Sequence, residues 1–311
     1  MEHMETLVTG GSGYLATHLV AALLREGKAV RATVRSAARE ADVRDAVRRG
    51  GADDARLSVV VADLLHDDGW AAAMDGVAEV HHVASPIPAA QPDNPDDLIV
   101  PAREGTLRVL RAARDAGVRR TVLTSSFAAV GYSPKPVPDF TEDDWTDPDT
   151  PGLAPYPRSK TIAERAAWEV DGVELAVVNP TFMLGPALTT TAGSSLQLIK
   201  ALLDGTMPVV PRARFGIVDV RDVADLHLRV MAAPEAAGRR FLAVSDDPAT
   251  SYVDVAAVLG RQVTEAPGDE PRRPVIHNDR AKALGWRPRD ARTTILDSVI
   301  TPAGAPGSHP A

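Results

Sequence analysis

The chain has 311 residues, 44% apolar and 24% charged, which suits one large domain or two lobes around a sizeable core. Lys and Arg number 34 against 42 Asp and Glu, a net charge of −8 that argues against nucleic acid as the main partner. Cysteine is absent, which excludes disulfides, zinc–thiolate sites, iron–sulfur clusters and thiol catalysis together. No cationic stretch followed by an apolar one opens the chain, and no run of about 18 apolar residues occurs. Neither a secretory signal nor a membrane span is expected, and a cytoplasmic protein is.

Residues 5–9 are a short β-type run that meets Gly10-Gly11-Ser12-Gly13. A helical pattern follows from Tyr14 to about Glu26, and Gly27 stops it. A second strand is predicted at 29–34, a charged helix at 36–49, and strands at 57–62 and 77–83. Apolar spacing through Leu98, Ala102, Leu107, Leu110 and Ala113 predicts a helix over 98–116, with Gly117 at its C-cap. A fifth strand is expected at 120–125, a helix through 161–169 and a sixth strand at 174–178. Near-continuous apolar strands alternating with helices indicate a parallel sheet covered on both faces. The fold class is therefore α/β, a doubly wound parallel Rossmann sheet with a smaller C-terminal substrate-binding lobe. Residues 1–185 form the dinucleotide-binding domain, completed by a segment returning near 215–235, and 186–300 form mainly the substrate lobe. In that lobe helices are predicted at 194–204 and 221–232, and short strands at 217–219 and 240–244. Residues 301–311 are a Pro/Gly/Ala-rich tail, expected to be flexible.

The turn Thr9-Gly10-Gly11-Ser12-Gly13-Tyr14-Leu15-Ala16 fits G-x-x-G-x-x-A. Gly10 and Gly13 permit a tight strand-to-helix turn and close approach of a pyrophosphate. The first helical residues, Tyr14 and Leu15, then offer free N–H groups at the positive end of the helix dipole. The motif follows a strand and opens an amphipathic helix, the context that gives it weight over an unliganded turn. A site for NAD wants an acid at the end of the second strand; this chain has Val34-Arg35-Ser36 and no acid before Glu40. The Arg35 guanidinium suits a ribose 2′-phosphate, so NADP is the expected cofactor, with Arg39 or Arg44 as a second contact. The plainer alternative is an Arg on a solvated strand end. Asp63-Leu64 follows the third strand; Asp63 either accepts from the adenine amino group or caps a helix.

Tyr156-Pro157-Arg158-Ser159-Lys160 is the only Y-x-x-x-K in the chain. With so few Tyr and Lys, chance supplies about 0.06 copies. The i, i+4 spacing puts both side chains on one helix face. An ammonium beside a phenol favours the phenolate, which makes Tyr156 a proton donor and acceptor, while Lys160 can also hold the nicotinamide ribose. Thr124-Ser125-Ser126 ends the fifth strand, where an open parallel sheet binds its ligand. Ser126 is chosen to hold the substrate oxygen, Ser125 is its competitor, and both are able simply to cap the next turn. No metal is required.

In this order the Gly-rich start, Thr-Ser-Ser and Y-x-x-x-K resemble the extended short-chain dehydrogenase/reductases. Thr33-Val34-Arg35, His82-Val83-Ala84-Ser85-Pro86, Glu104-Gly105-Thr106, Asp144-Trp145-Thr146, Val218-Asp219-Val220-Arg221-Asp222 and Lys282-Ala283-Leu284-Gly285-Trp286 are similar to the dihydroflavonol reductase and cinnamoyl-CoA reductase branch. The resemblance runs from about 5 to 290. It implies that Val83, Ala84 and Ser85 flank the dinucleotide, that Pro180, Thr181, Phe182 and Met183 frame the nicotinamide, and that Ser195 is a pyrophosphate-side hydroxyl. It implies substrate-facing positions around 86–95, 127–133 and 183–215. Asp219 and Asp222 are read as a helix cap and an ion pair. Where the family often has Asn on the long central helix this chain has Glu104, so the resemblance does not carry a proton relay through Asn.

The reading is an NADPH-dependent carbonyl reductase, reversibly an alcohol dehydrogenase, with Ser126, Tyr156 and Lys160 catalytic. Its partner is a small carbonyl or alcohol substrate, with no nucleic acid and no membrane, in a monomer or homodimer. The rivals are an NAD-dependent nucleotide-sugar epimerase or dehydratase, a 3β-hydroxysteroid dehydrogenase, and a non-enzymatic NADP sensor.

Overall fold

A computed structural model describes residues 5–86, 92–189 and 194–299. The tail at 301–311 and parts of the expected substrate-facing stretches, 87–91 and 190–193, lie outside the described residues.

The first half runs β1 (Glu5–Val8), α1 (Tyr14–Arg25), β2 (Val30–Val34), α2 (Glu40–Arg49), β3 (Leu57–Val61), α3 (Trp70–Met74), β4 (Val77–His82), α4 (Asp96–Asp115) and β5 (Arg120–Thr124). A short β6 (Asp139–Phe140) precedes α5 (Pro155–Trp168), β7 (Leu175–Pro180) and β8 (Phe182–Leu184). The remainder is α6 (Ser194–Leu203), β9 (Val209–Val210), β10 (Arg214–Phe215), β11 (Ile217–Asp219), α7 (Val220–Ala232) and β12 (Arg240–Ala243). It ends with β13 (Thr250–Ser251), α8 (Tyr252–Val258), β14 (Thr264–Glu265), β15 (Val275–Ile276), α9 (Asp279–Ala283) and α10 (Ala291–Asp297).

Seven strands form one sheet in the order β12-β7-β5-β4-β1-β2-β3, parallel throughout. The chain leaves β1 towards β2 and β3, then crosses to β4 and continues the other way. The carboxyl ends of β1 and β4 therefore border the switch point where such sheets bind ligands. α1 and α7 cover one face, sharing a core of Leu19, Val20, Leu23, Val223, Leu226 and Val230, while α4 and α5 pair on the other. A separate core of Leu184, Leu196, Ile199, Leu202, Ile217, Val255 and Ile295 fills the C-terminal lobe.

The chain does not stay in that lobe after α7. β12 becomes the edge strand of the main sheet, pairing Arg240–Ala243 against Val177–Pro180. Trp286 is fully buried in the α1–α7 core and donates to the Asp222 carbonyl (2.8 Å). α3 was invisible to periodicity because five residues give barely more than one turn. Among the described residues, no helix is long and apolar enough to cross a membrane.

Candidate active site

Thr9 follows β1 and ties the crevice together. Its Oγ1 accepts from the amides of Val83 and Ala84 (3.0 Å each) and lies 2.8 Å from His82 Nδ1. Both lone pairs are then used, so the Thr9 hydrogen goes to His82 Nδ1 and leaves that imidazole neutral with its proton on Nε2. Burial holds His82 down to about 3, and the Lys160 ammonium adds to the effect. The Gly10 amide donates to Thr33 Oγ1 (3.0 Å) and the Gly11 amide to the Thr33 carbonyl (2.7 Å). Gly10 has φ +68°, and a Cβ there would sit 3.0 Å from the Ala84 Cβ. Gly11 is as tight, since its Cβ would come 2.7 Å from that of Ala32. Gly13 caps α1 without a side-chain acceptor, and no acidic residue stands in the first turn. The N–H groups of Tyr14 and Leu15 are thus available to an anion.

Among the described residues Arg35, exposed at the end of β2, enters no ion pair. Its neighbours are spent: Arg31 on Glu5, Arg39 on Asp42, and Arg44 on Glu40 and Asp54. Asp63 is not a helix cap. Its Oδ1 accepts from the Leu65 amide (3.0 Å) in a turn, its carbonyl accepts from Trp70 Nε1 (3.0 Å), and α3 is capped by Gly69 instead. Leu64 is buried where α4 comes close, and a Cβ on Gly105 would lie 3.0 Å from the Leu64 Cβ.

Tyr156 and Lys160 lie on one face of α5, whose first turn starts at Pro155, a favoured opening residue. Lys160 Nζ stands 5.9 Å from the Tyr156 ring centre and donates to Ser85 Oγ (3.0 Å) at the end of β4. Tyr156 remains 37% exposed. The two serines after β5 differ. Ser125 is buried and donates its hydroxyl to Glu164 Oε2. Ser126 is half-buried, and its Oγ accepts from the Ala128 amide (3.1 Å), which leaves its own hydrogen to give. Phe127, Tyr132 and Phe140 pack edge-to-face beside this turn.

Residues 6–243 match the model of the NAD dependent epimerase/dehydratase family. A cinnamoyl-CoA reductase of Medicago truncatula is 35% identical over 309 residues, covering 94% of this chain and 93% of that protein. The chain belongs to the extended short-chain dehydrogenase/reductases. A dihydroflavonol 4-reductase of Zea mays is 34% identical over 245 residues, covering 75% of this chain and 68% of its own. The yeast methylglyoxal/isovaleraldehyde reductase Gre2, solved with NADPH, superposes with TM-score 0.81 at 27% identity over 95% of this chain and 97% of its own. With this membership and these relatives, the chain is an NAD(P)-dependent oxidoreductase of that family.

Within this family member the remaining residues singled out from sequence fall in several places. The Tyr14 phenol is not at the crevice: it donates to the Gly185 carbonyl (2.8 Å) and ties α1 to the start of the C-terminal lobe. What Tyr14 offers a pyrophosphate is its backbone N–H. Pro180 closes β7, and Thr181 bonds the Ala243 carbonyl through both its amide (3.0 Å) and its hydroxyl (3.2 Å). The Phe182 ring packs on Phe215, 5.1 Å between centres, and half-buried Met183 packs instead against the α1–α7 core. Ser195 is half-buried in the first turn of α6. Asp219 caps α7 and pairs with Arg221, and Asp222 pairs with Arg289. Glu104 pairs with Arg103 and lines a surface cleft between α3 and α4. Sequence reasoning gave no role of their own to Thr9, Thr33, Glu164, Asn179 and Arg240. The only signal for Glu164 was its spacing, one turn beyond Lys160 on the same helix face.

Proposed function

We propose that the chain is an NADPH-dependent carbonyl reductase, acting on ketones or aldehydes and reversibly on the alcohols. The observation that carries this reading is Lys160 reaching from α5 to Ser85 at the dinucleotide crevice, with partly exposed Tyr156 one turn before it on the same face. Gly10, Gly13 and the first N–H groups of α1 hold the pyrophosphate. Asp63 and Leu64 border the adenine, and Val83, Ala84 and Ser85 flank the dinucleotide. Pro180 to Met183 frame the nicotinamide, and Ser195 stands on the pyrophosphate side. Unpaired Arg35 takes the 2′-phosphate, which sets NADP over NAD; Gre2, similar over nearly the whole chain, was solved with NADPH.

NADPH, when bound, supplies the hydride. Ser126 donates its free hydrogen to the carbonyl oxygen and holds it. Tyr156 gives its proton to the developing alkoxide, general acid catalysis at a site with oxyanion-type stabilisation. Lys160 binds the ribose. Buried, bonded Ser125 favours Ser126 as the acting hydroxyl.

The test is NADPH consumption against aryl ketones, α-ketoesters, aldehydes, flavanonols and 3-ketosteroids, with NADH in parallel and Tyr156→Phe as control. Turnover by the wild type is expected, with Tyr156→Phe slower by at least about 100-fold, the scale of a lost general acid, while still binding NADPH. Retained activity in that variant refutes the assignment of Tyr156. Silence of the wild type across the panel, with NADPH bound, refutes the reductase reading.

A further inference from the structure

We infer that Glu164 is a positioning residue for this reaction: its buried carboxylate holds the Ser126 turn and the loop that follows in register with the helix carrying Tyr156 and Lys160. The inference rests on the proposed roles of Ser126 and Tyr156. Glu164 stands on α5 one turn after Lys160 and two turns after Tyr156, with its side chain fully buried. A carboxylate there is tolerated only where its oxygens are paired and bonded.

The two oxygens serve different parts of the site. Oε2 accepts from the Ser125 hydroxyl and from Asn179 Nδ2 (2.7 Å) on β7. The Asn179 amide also donates to the carbonyl of Ser126 (3.2 Å). Oε1 accepts from Arg240 Nε (2.6 Å) on β12. Arg240 Nη1 then gathers the carbonyls of Glu142 (3.0 Å) and Asp144 (2.6 Å), and Nη2 reaches that of Ala129 (3.5 Å). The guanidinium carbon of Arg240 lies over the Trp145 ring, 3.8 Å from its centre. Both routes therefore end around Ser126, at the Ser125 hydroxyl and the Ser126 carbonyl on one side and at the Ala129 carbonyl on the other. A buried ion pair is a weak source of net stability, so its worth here is geometric. Ser126 and Tyr156 must meet on one substrate oxygen; Glu164 reaches the turn of the first through Ser125 and Asn179 and is built into the helix of the second.

Glu164→Gln tests this because an amide has a single acceptor oxygen. Its NH2 must face Arg240, or else face Asn179 and turn that amide away from the Ser126 carbonyl. Ser125→Ala is the gentler variant: it removes one donor and leaves the ion pair in place. The measurement is kcat and KM, normalised to sites counted by NADPH fluorescence titration. Glu164→Gln is expected to lower kcat by about 100-fold, the scale of a misplacement of about 1 Å. Its NADPH affinity should be unchanged. Ser125→Ala should show a smaller fall of the same kind, and the double variant should be no worse than Glu164→Gln alone, since both act on one path. Unchanged kcat per NADPH-binding site in both variants, or losses matched by lost NADPH affinity, overturns the inference. Amide exchange across residues 125–131 is a second readout, and it needs no turnover. Faster exchange there in Glu164→Gln, with α1 unaltered, supports positioning; no change overturns it. A wild type that exchanges as expected but reduces no carbonyl would place the failure in the proposed reaction instead.

Discussion

At the scale of single residues, local partners decide which of two similar side chains is free to act. Ser125 and Ser126 are adjacent and chemically identical, yet one donates into a buried carboxylate and the other keeps its hydrogen. The four arginines around β2 divide the same way, three bonded and Arg35 open. On its proposed role, Arg35→Ala removes a charge-assisted contact to the 2′-phosphate, worth roughly 1.5–3 kcal/mol. NADPH affinity should fall by about 10–100-fold while NADH affinity stays level, which paired KM measurements with the two cofactors check. An equal loss for both cofactors would remove Arg35 from the phosphate site. The sequence chose Ser126 by its place after the strand, but the partners that separate the two serines were out of its reach, because Glu164 and Asn179 lie 39 and 53 positions beyond Ser125 and Ser126.

At the scale of elements, the β1–α1 turn and α5 were legible because each is set by short-range rules. The glycine turn follows a strand and opens a helix, and Tyr156 and Lys160 share a face by helical period alone. Gly10 and Gly27 both have positive φ, +68° and +79°, but only Gly10 has a close neighbour, at Ala84, while Gly27 has open space. Ala at either position should cost about 1–2 kcal/mol of stability from the left-handed backbone. Only Gly10→Ala adds crowding at the crevice, so it alone should also weaken NADPH binding. Thermal melts and NADPH titration of the two variants check this, and equal dinucleotide affinity in both would contradict it. β12 was legible as a strand, but its place at the edge of the main sheet was not. That place depends on pairing with β7, more than 60 residues earlier in the chain.

At the scale of the whole molecule, the two lobes are joined by bonds from buried groups on α1. Tyr14 donates to the Gly185 carbonyl, and His18 Nε2 lies 2.8 Å from that of Pro186. Burial depresses His18 to about 4, and His82 and His227 to about 3, against an ordinary value of 6.5. His227 lies 3.4 Å from His81 and 3.0 Å from the Thr124 hydroxyl, so the group spans the sheet. Well above pH 6.5 these histidines are neutral in both states and add no pH dependence. As pH falls below that, the unfolded chain takes up protons that the folded one refuses, and stability drops until the folded values near 3–4 are reached. Each histidine contributes up to about 1.4 kcal/mol per pH unit. The melting temperature should therefore begin to fall below about pH 6.5, before carboxylates titrate; a flat profile from about pH 7 to 5 would contradict it.

The sequence by itself determined the parallel α/β architecture, the glycine turn between β1 and α1, the Tyr156–Lys160 pair and the absence of thiol chemistry. Each of these follows from composition, from periodicity or from residues within one turn of each other. Only the tertiary structure decided which serine keeps its proton, that the Tyr14 phenol serves the lobe junction, and that Glu164 and Arg240 brace the Ser126 turn. Those assignments depend on which oxygen each donor finds once strands and helices far apart in the chain have packed. Hydrogen-bond partners of that kind are set by three-dimensional distance, and linear spacing does not encode it.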